Sequence, residues 1–552
     1  MLVFMVFLGK TPFHDKGELR EALVVRDIVL EGRWLFPLRS GEKIPSKPPL
    51  FHWFAAMASM ARGEITEATV RFPSALFASL GVFLCYSMGK RLVDSQTGLW
   101  AALILSTTAI YYAVAMEARV DMTLAFFVTL SLVLFYSLYR GFLRHQGWWY
   151  VFFFIAGASV TAKGPVSVVL CGLVIGSFLI ARRRWDFLKT LLRHPGIVVG
   201  LLACLAWYGV ALYFGGSEFF GLQFVKENFA RFFVRGEGGT GHQKPIYYFI
   251  PYLFTLGLPW TLFLPALLWS YFRDGLFRRD EMLYLGLWVA VVFIFFSLSA
   301  GKRPPYILPL YPALALLTAF WLRGEVEPYS WKSRYYKGVC MLSVVIGSAF
   351  AALLALQLAG ADFVRMLQTF GVRFGDEVAA ELSMVSAALR DSRWLVPGFL
   401  LASMLLWFSA GRNFYRLKVP AAVIQLASVY VLAFVFGRGF ILPTLATTGS
   451  YKDFVQFALD KVDDRQFLIV YPQGIEPSSI IFYGQDKVKV LPEDPSSLPE
   501  GLGNSKDYFI VQEDLWNSRY IALSSKIPVL GRSRGTGPGG EGRLVLIQGE
   551  GQ

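Results

Sequence analysis

The side chains of this chain best suited to chemistry are charges that interrupt a very apolar sequence. Asp15, Glu18 and Arg20 fall close together, and Lys47 follows in Ser46-Lys47-Pro48-Pro49-Leu50-Phe51-His52-Trp53. Glu117, Arg119 and Asp121 share the run Met-Glu-Ala-Arg-Val-Asp-Met, and Lys163 stands in Ala-Lys-Gly-Pro. Glu227, Asn228 and Arg231 form another group, His242 and Lys244 precede Pro245, and Lys302-Arg303 precede Pro304-Pro305-Tyr306. Ionisable groups beside membrane spans are costly unless solvated or used. Carboxylates beside several cations suit a phosphate-bearing donor and a hydroxyl or phosphate acceptor. The cations stabilise charge developing on a phosphate leaving group. A carboxylate within reach of the acceptor proton serves as general base.

Most of these residues also have a plainer reading. Asp121 suits a helix cap, Lys163 an interfacial lysine with a snorkelling stem, Lys302 and Arg303 headgroup anchors, and His242 a structural histidine. Lys47 is harder to explain that way. Two prolines fix the backbone after it, and it is not placed as a helix-end anchor.

The elements that must position these groups are membrane spans. Of 552 residues, 55% are hydrophobic and only 17% charged, with a mean hydropathy of +0.48. A soluble enzyme carries nearer a quarter charged residues. The expected class is an all-α polytopic membrane protein. Its net charge of +14 then reads as cytoplasmic loops and contacts to anionic lipid, not as a nucleic-acid surface. Cys85, Cys171, Cys204 and Cys340 lie in apolar runs without CxxC spacing, as small hydrophobes. The apolar start, 2–9, lacks the marks of a cleavable signal peptide and is too short to span. It reads as a clipped first helix. Twelve further apolar runs, at about 69–89, 98–116, 120–139, 148–162, 166–181, 196–214, 247–272, 282–299, 304–322, 338–358, 394–411 and 419–437, bring the expected number of spans to roughly thirteen.

Basic clusters recur in alternate loops: Lys90-Arg91, Arg140 with Arg144, Arg182 to Arg184, Arg278-Arg279, Arg323 to Lys337, and Arg412 to Lys418. Such loops stay cytoplasmic. The polar loop 10–65, the Glu117–Asp121 turn, the 217–244 loop, the Lys302-Arg303 turn and the C-terminus then share the opposite, periplasmic side. An amphipathic helix is expected from Glu18 to Glu31, ended by Gly32 and lying on the membrane surface. The membrane region is assigned to 1–440. In 441–552, a helix at Tyr451–Lys461 and short β runs at 466–471, 487–491, 507–511 and 543–548 predict a soluble α/β domain without evident chemistry.

Lys47-Pro48-Pro49-Leu50-Phe51-His52-Trp53 resembles the KPPLxxW signature of bacterial GT-C membrane glycosyltransferases of the protein O-mannosyltransferase and 4-amino-4-deoxy-L-arabinose lipid A transferase family. Glu18-x-Arg20, Asp121-Met122, Asn228-x-x-Arg231-Phe232, His242-x-x-Pro245, Leu258-Pro259-Trp260 and Lys302 to Pro309 are similar to the same family, in its order, over about 10–320. The resemblance implies an undecaprenyl-phosphate-linked sugar donor, inverting transfer, and an acceptor that is lipid A, another glycolipid or a protein. The site would face the periplasm from the bacterial inner membrane. A lipid or polysaccharide transporter, or a lipid-linked oligosaccharide ligase or polymerase, is the alternative.

By the same resemblance, Lys47, Arg20, Lys302 and Arg303 are donor-phosphate ligands, Asp121 is a second acidic site residue, and Tyr306 belongs to a site-lining turn. The first-loop catalytic carboxylate falls near Asp15 or Glu18, with Glu18 slightly preferred, because Gly17 stands where the family places an aspartate. His242 matches a residue that helps hold a metal in the arabinose transferase. The partner carboxylate there precedes the lysine, where this chain has Ser46. A divalent metal near His242 is thus the one cofactor raised, and no metal ligand set is assigned.

Overall fold

The computed structural model describes residues 2–41, 43–234, 243–324, 326–327, 329–359, 394–463, 466–494, 497–538 and 540–550. Among the described residues, eight helices are long and apolar enough to cross a membrane, or ten if two bent pairs each count as one span. The pairs are Ser95–Ser106 with Ala109–Ala115, bent by 67°, and Ile246–Leu256 with Trp260–Arg273, bent by 108°. These counts are by length and apolarity alone, beside the roughly thirteen spans expected from sequence. At the first break the hydroxyls of Thr107 and Thr108 bond back to carbonyls of the preceding turn. At the second, Pro259 supplies no N–H to continue a helix. Gly147–Ala158 and Val166–Ala181 are too short to cross as straight helices.

Burial sorts the spans. Glu67–Leu92, Val120–Tyr139 and Pro304–Arg323 are largely enclosed by protein, whereas Gly196–Phe233 and Trp331–Leu356 leave most of their apolar surface outside. A helix apolar all round is stable in that exposed position only against lipid. The chain is therefore a multi-pass membrane protein.

The polar loop folds into two helices, α1 (Lys16–Glu31) and α2 (Leu50–Arg62), ahead of the first long span, α3 (Glu67–Leu92). Asp15 caps α1 by accepting the Gly17 N–H at 3.2 Å, and Gly32 closes it with φ 67°, a conformation that glycine adopts without strain. Leu19, Leu23 and Ile28 of α1 are buried with Phe51 and Ala55 of α2, Val70 of α3, Val120 and Phe482. Thus α1 does not lie free on the membrane: it is sandwiched between α2 and the C-terminal domain.

That domain carries five strands: β1 (Leu468–Val470), β2 (Val488–Val490), β3 (Tyr508–Gln512), β4 (Gly531–Arg532) and β5 (Leu544–Gln548). They form one sheet in the order β2-β1-β3-β5-β4, parallel on both sides of β1 and antiparallel beyond β3. The β4 strand was not anticipated; two residues with one glycine carry no alternating pattern. Apolar side chains fill both faces of the sheet. The domain docks on α1 through ion pairs, Lys16–Glu541 at 2.7 Å, Arg20–Glu476 at 3.4 Å and Arg26–Asp486 at 3.0 Å. Lys452 and the Tyr483 hydroxyl both bond Glu67 of α3, at 2.7 and 3.0 Å.

Candidate active site

Two cavities meet above the enclosed spans. The first, of about 370 Å³, is walled mainly by apolar side chains, among them Leu124, Val166, Val169, Phe224, Phe232 and Phe296. The second, of about 210 Å³, is polar and is lined by seven cationic side chains and three carboxylates. Lys47, Lys163, Glu227, Arg231 and Tyr306 belong to both walls and mark the seam. Distant parts of the chain converge here. Lys47 comes from the loop before α2, Lys163 from the turn before Val166–Ala181, Glu227 and Arg231 from one helical turn, and Tyr306 from the segment after Arg303. Gly164 makes one approach possible: a Cβ at that position would lie 2.8 Å from Asn228 Oδ1.

At the seam the charges are paired. Lys47 bonds Glu227. The same carboxylate accepts from Arg231 at 3.1 Å. Arg231 also reaches the Tyr306 hydroxyl at 3.4 Å. Lys163 bonds Asp121 and lies 4.2 Å from the centre of the Tyr306 ring. Burial, then the neighbouring Arg231 charge, pull the Lys47 ammonium down to about 8, against the support of Glu227. The ammonium is held where an incoming anion would be stabilised by it. The cation excess of the polar cavity makes the whole pocket a site for negative charge.

Farther in, Arg20, Glu21 and Arg39 line the polar cavity with Arg119 and Arg303. Arg20 leans on Glu476 of the sheet domain. Asp15 bonds Arg119, whose Nε donates to Glu117 at 2.6 Å. Gly17 lines the cavity, and a Cβ built on it would lie 2.9 Å from Asp15 Oδ2. The Asp15 carboxylate thus occupies the space next to the missing side chain of residue 17.

The structure brings Lys47, Asp121, Arg20, Arg303 and Tyr306 to these cavities and Asp15 to their edge. It does not bring Glu18 or Lys302. Glu18 is buried and forms a two-pronged pair with Arg71, at 2.8 and 2.9 Å, while the Ala118 N–H donates to it at 2.8 Å. Burial opposes its charge, but Arg71 and these hydrogen bonds outweigh that and hold the carboxyl at about 2. Arg71 is itself wholly buried, bonds the carbonyls of Leu8 and Thr11, and lies 4.9 Å from the centre of the Phe13 ring. Glu18 therefore ties α1 to α3 and does not meet the cavity, so its expected role as base is corrected. Lys302, 2% exposed, donates to the carbonyls of Lys244 and Ser299. It braces a turn and lines neither cavity.

His242 lies outside the described residues. Among the described residues, no three His, Cys, Asp or Glu side chains come together as a metal site. Ser46 lines the polar cavity in the place of the expected carboxylate ligand. Its hydroxyl brings no negative charge to a divalent cation, unlike the carboxylate expected there.

Glu21 and Arg39 were not singled out from sequence, and Lys163, Glu227 and Arg231 were singled out without a role being assigned. Lys163, Glu227 and Arg231 carried a signal, as charges among apolar neighbours. Glu21 had one in its helical spacing from Gly17: residues 17, 20, 21 and 24 share a face, and all four line the cavity. Glu18 points to the other side.

An apolar cavity among spanning helices opens onto a cation-rich one. Residues 46–208 match the family model for dolichyl-phosphate-mannose-protein mannosyltransferase. The undecaprenyl phosphate-alpha-4-amino-4-deoxy-L-arabinose arabinosyl transferase of Pseudomonas aeruginosa strain UCBPP-PA14 is 30% identical over 363 residues, covering 65% of this chain and 64% of that protein. Its counterpart in Yersinia enterocolitica is 25% identical over 401 residues, covering 72% and 69%. The chain thus spans a little under two thirds of the length of the Pseudomonas relative. The crystal structure of ArnT from Cupriavidus metallidurans bound to undecaprenyl phosphate superposes with a TM-score of 0.77 at 20% identity, covering 99% of this chain and 96% of that one. The chain thus shares the fold of that structure over nearly its whole length.

Proposed function

We propose that the protein transfers a sugar from a polyprenyl-phosphate donor to an acceptor at the outer face of the bacterial inner membrane, with inversion. The observation that carries this reading is the seam at Lys47, Lys163, Arg231 and Tyr306, where the apolar cavity meets the cationic one. A polyprenyl phosphate has the same division: an apolar tail, an anionic head, and a polar sugar beyond it. The names of the relatives, which place undecaprenyl phosphate and an aminosugar in their reaction, support the same donor class.

With the tail in the apolar cavity, the phosphate lies against Lys47 and Arg231, and the sugar projects toward α1. The acceptor oxygen attacks the anomeric carbon from the side opposite the phosphate. The bond from that carbon to the phosphate oxygen breaks through an oxocarbenium-like transition state. Negative charge then grows on the departing phosphate, and preorganised cations at the seam stabilise it without reorganising. Asp121 holds Lys163 in place, and Arg20, Arg39 and Arg303 extend the positive field around the sugar. The acceptor is lipid A, another glycolipid or a protein hydroxyl. The sheet domain covers the site from the periplasmic side, since the basic loops assign the opposite face to the cytoplasm.

The test is mass spectrometry of lipid A and surface proteins from cells with and without the gene. A single-sugar mass increment that disappears with the gene is expected, and returns with the wild-type chain but not with Lys47→Ala. Identical glycolipid and protein profiles in both strains would overturn the reading.

A further inference from the structure

The carboxylates around the polar cavity are not equivalent. Asp15 is bonded to Arg119, Asp121 to Lys163, and Glu227 to both Lys47 and Arg231. A carboxylate bonded to a lysine or arginine has oxygen already committed to that cation. Glu21 alone among the carboxylates lining the cavity pairs with a histidine. Its Oε2 meets His52 Nε2 at 2.5 Å, and no hydrogen bond engages Oε1 among the described residues.

His52 is completely buried, and its Nδ1 has no hydrogen-bond partner among the described residues. The ring nitrogen that is engaged, Nε2, is the one turned to Glu21. The Phe51 ring lies against His52 with centroids 5.5 Å apart, edge to face, and fixes it further. The Lys-Pro-Pro-Leu-Phe-His segment therefore serves the cavity twice: Lys47 enters the seam, and five residues on His52 grips a carboxylate of α1.

We infer that Glu21 is the general base that removes the proton from a hydroxyl acceptor, and that His52 is a positioning residue that aims it. This rests on the transfer reading above. In the step, the acceptor O–H gives its proton to Glu21 Oε1, and the oxygen bonds to the anomeric carbon. The carbon–oxygen bond to phosphate breaks, and its electron pair leaves with the polyprenyl phosphate. A phosphate acceptor, already ionised, would not need this base, so the assignment also selects a hydroxyl as the attacking group.

The test uses the full-length protein in nanodiscs, with undecaprenyl-phosphate-linked 4-amino-4-deoxy-L-arabinose as donor and, in separate reactions, lipid A and dephosphorylated lipid A, which offers hydroxyls alone, as acceptors. It measures released undecaprenyl phosphate and, separately, undecaprenyl phosphate binding. Glu21→Gln should lower kcat by about a hundredfold or more and leave donor KM and lipid-phosphate binding within about twofold. Formate should restore part of the activity of Glu21→Ala, which a purely structural role would not allow. His52→Gln, which keeps a donor at the Nε2 position, should retain more kcat than His52→Ala. Should Glu21→Gln fail to fold, Glu21→Asp supplies the reading, with lowered kcat at unchanged binding. Wild-type kcat in Glu21→Gln, or no formate rescue, would overturn the assignment while leaving the transfer reading intact. Lipid-phosphate binding without any transfer by the wild type would remove the transfer reading, and this one with it.

Discussion

Lys47 and Glu227 lie 180 positions apart in sequence and bond each other at the seam between the two cavities. Glu227 also holds Arg231, so one carboxylate occupies the two cations best placed for a lipid phosphate. A donor phosphate entering the seam competes with Glu227 or replaces it. Glu227→Gln should therefore raise the affinity for undecaprenyl phosphate. It should also lower the melting temperature of the lipid-free protein, because it leaves two partly buried cations unpaired. Saturating undecaprenyl phosphate should reverse that loss by mass action. Thermal unfolding with and without the lipid reads both effects.

On the proposed reading, removing Lys47 takes away charge that would act on the leaving phosphate. Lys47→Ala should lower transfer by about a hundredfold or more at normal expression, measured in membranes with a polyprenyl-phosphate-linked sugar. Lys47→Arg should recover only part of it, since a planar fork does not reproduce a compact ammonium.

The Lys47 ammonium, brought down to about 8 chiefly by burial, loses its proton as pH rises through that value. The neutral amine attracts a phosphate less. Affinity for undecaprenyl phosphate should fall between about pH 7 and 9 in the wild type. The fall should be absent in Lys47→Arg, whose guanidinium stays charged. Equilibrium binding across that range is the measurement.

The Glu18–Arg71 pair is a prediction about stability and not about catalysis. Replacing Arg71 with methionine strands a buried carboxylate, and should cost about 3–5 kcal/mol or prevent folding. The folded-state value of about 2 for Glu18 lies below its ordinary value. Its contribution is therefore complete above the ordinary carboxylate range and is lost as pH falls toward 2. Glu18→Gln should shift acid unfolding to higher pH, while any folded fraction keeps its affinity for undecaprenyl phosphate.

The apolar cavity should read tail length. Val166→Trp fills space that an isoprenoid would occupy, and such overpacking costs binding. The affinity for undecaprenyl phosphate should drop by about tenfold, and that for a two-isoprene phosphate much less. An equal loss for both would place the tail elsewhere.

Much of this was legible in the sequence because membrane and phosphate chemistry leave coarse marks. Long apolar runs gave the class, charges stranded among them drew attention to Lys47, Asp121 and Arg303, and Tyr306 came from the family resemblance of the Lys302–Pro309 run. The span count was less legible: hydropathy does not register a bend such as those at Thr107-Thr108 and Pro259. Nor did it separate Glu18 from Glu21. Both lie on α1 in the same polar stretch, and what divides them is the face of the helix each takes, toward Arg71 for one and toward His52 for the other. Lys302 failed for a similar reason. Its sequence context marks an interfacial cation, and nothing local tells that its ammonium turns back onto main-chain carbonyls. The sheet domain, with no recognisable chemistry of its own, reaches the site through the Arg20–Glu476 contact, a long-range pairing that no local pattern encodes.

The most direct test is a structure of the protein with undecaprenyl phosphate bound in a lipid nanodisc. The account predicts phosphate oxygens within hydrogen-bonding distance of Lys47 and Arg231, with the tail running between Val166 and Phe296. A phosphate bound away from Lys47, or a tail lying outside that cavity, would contradict it.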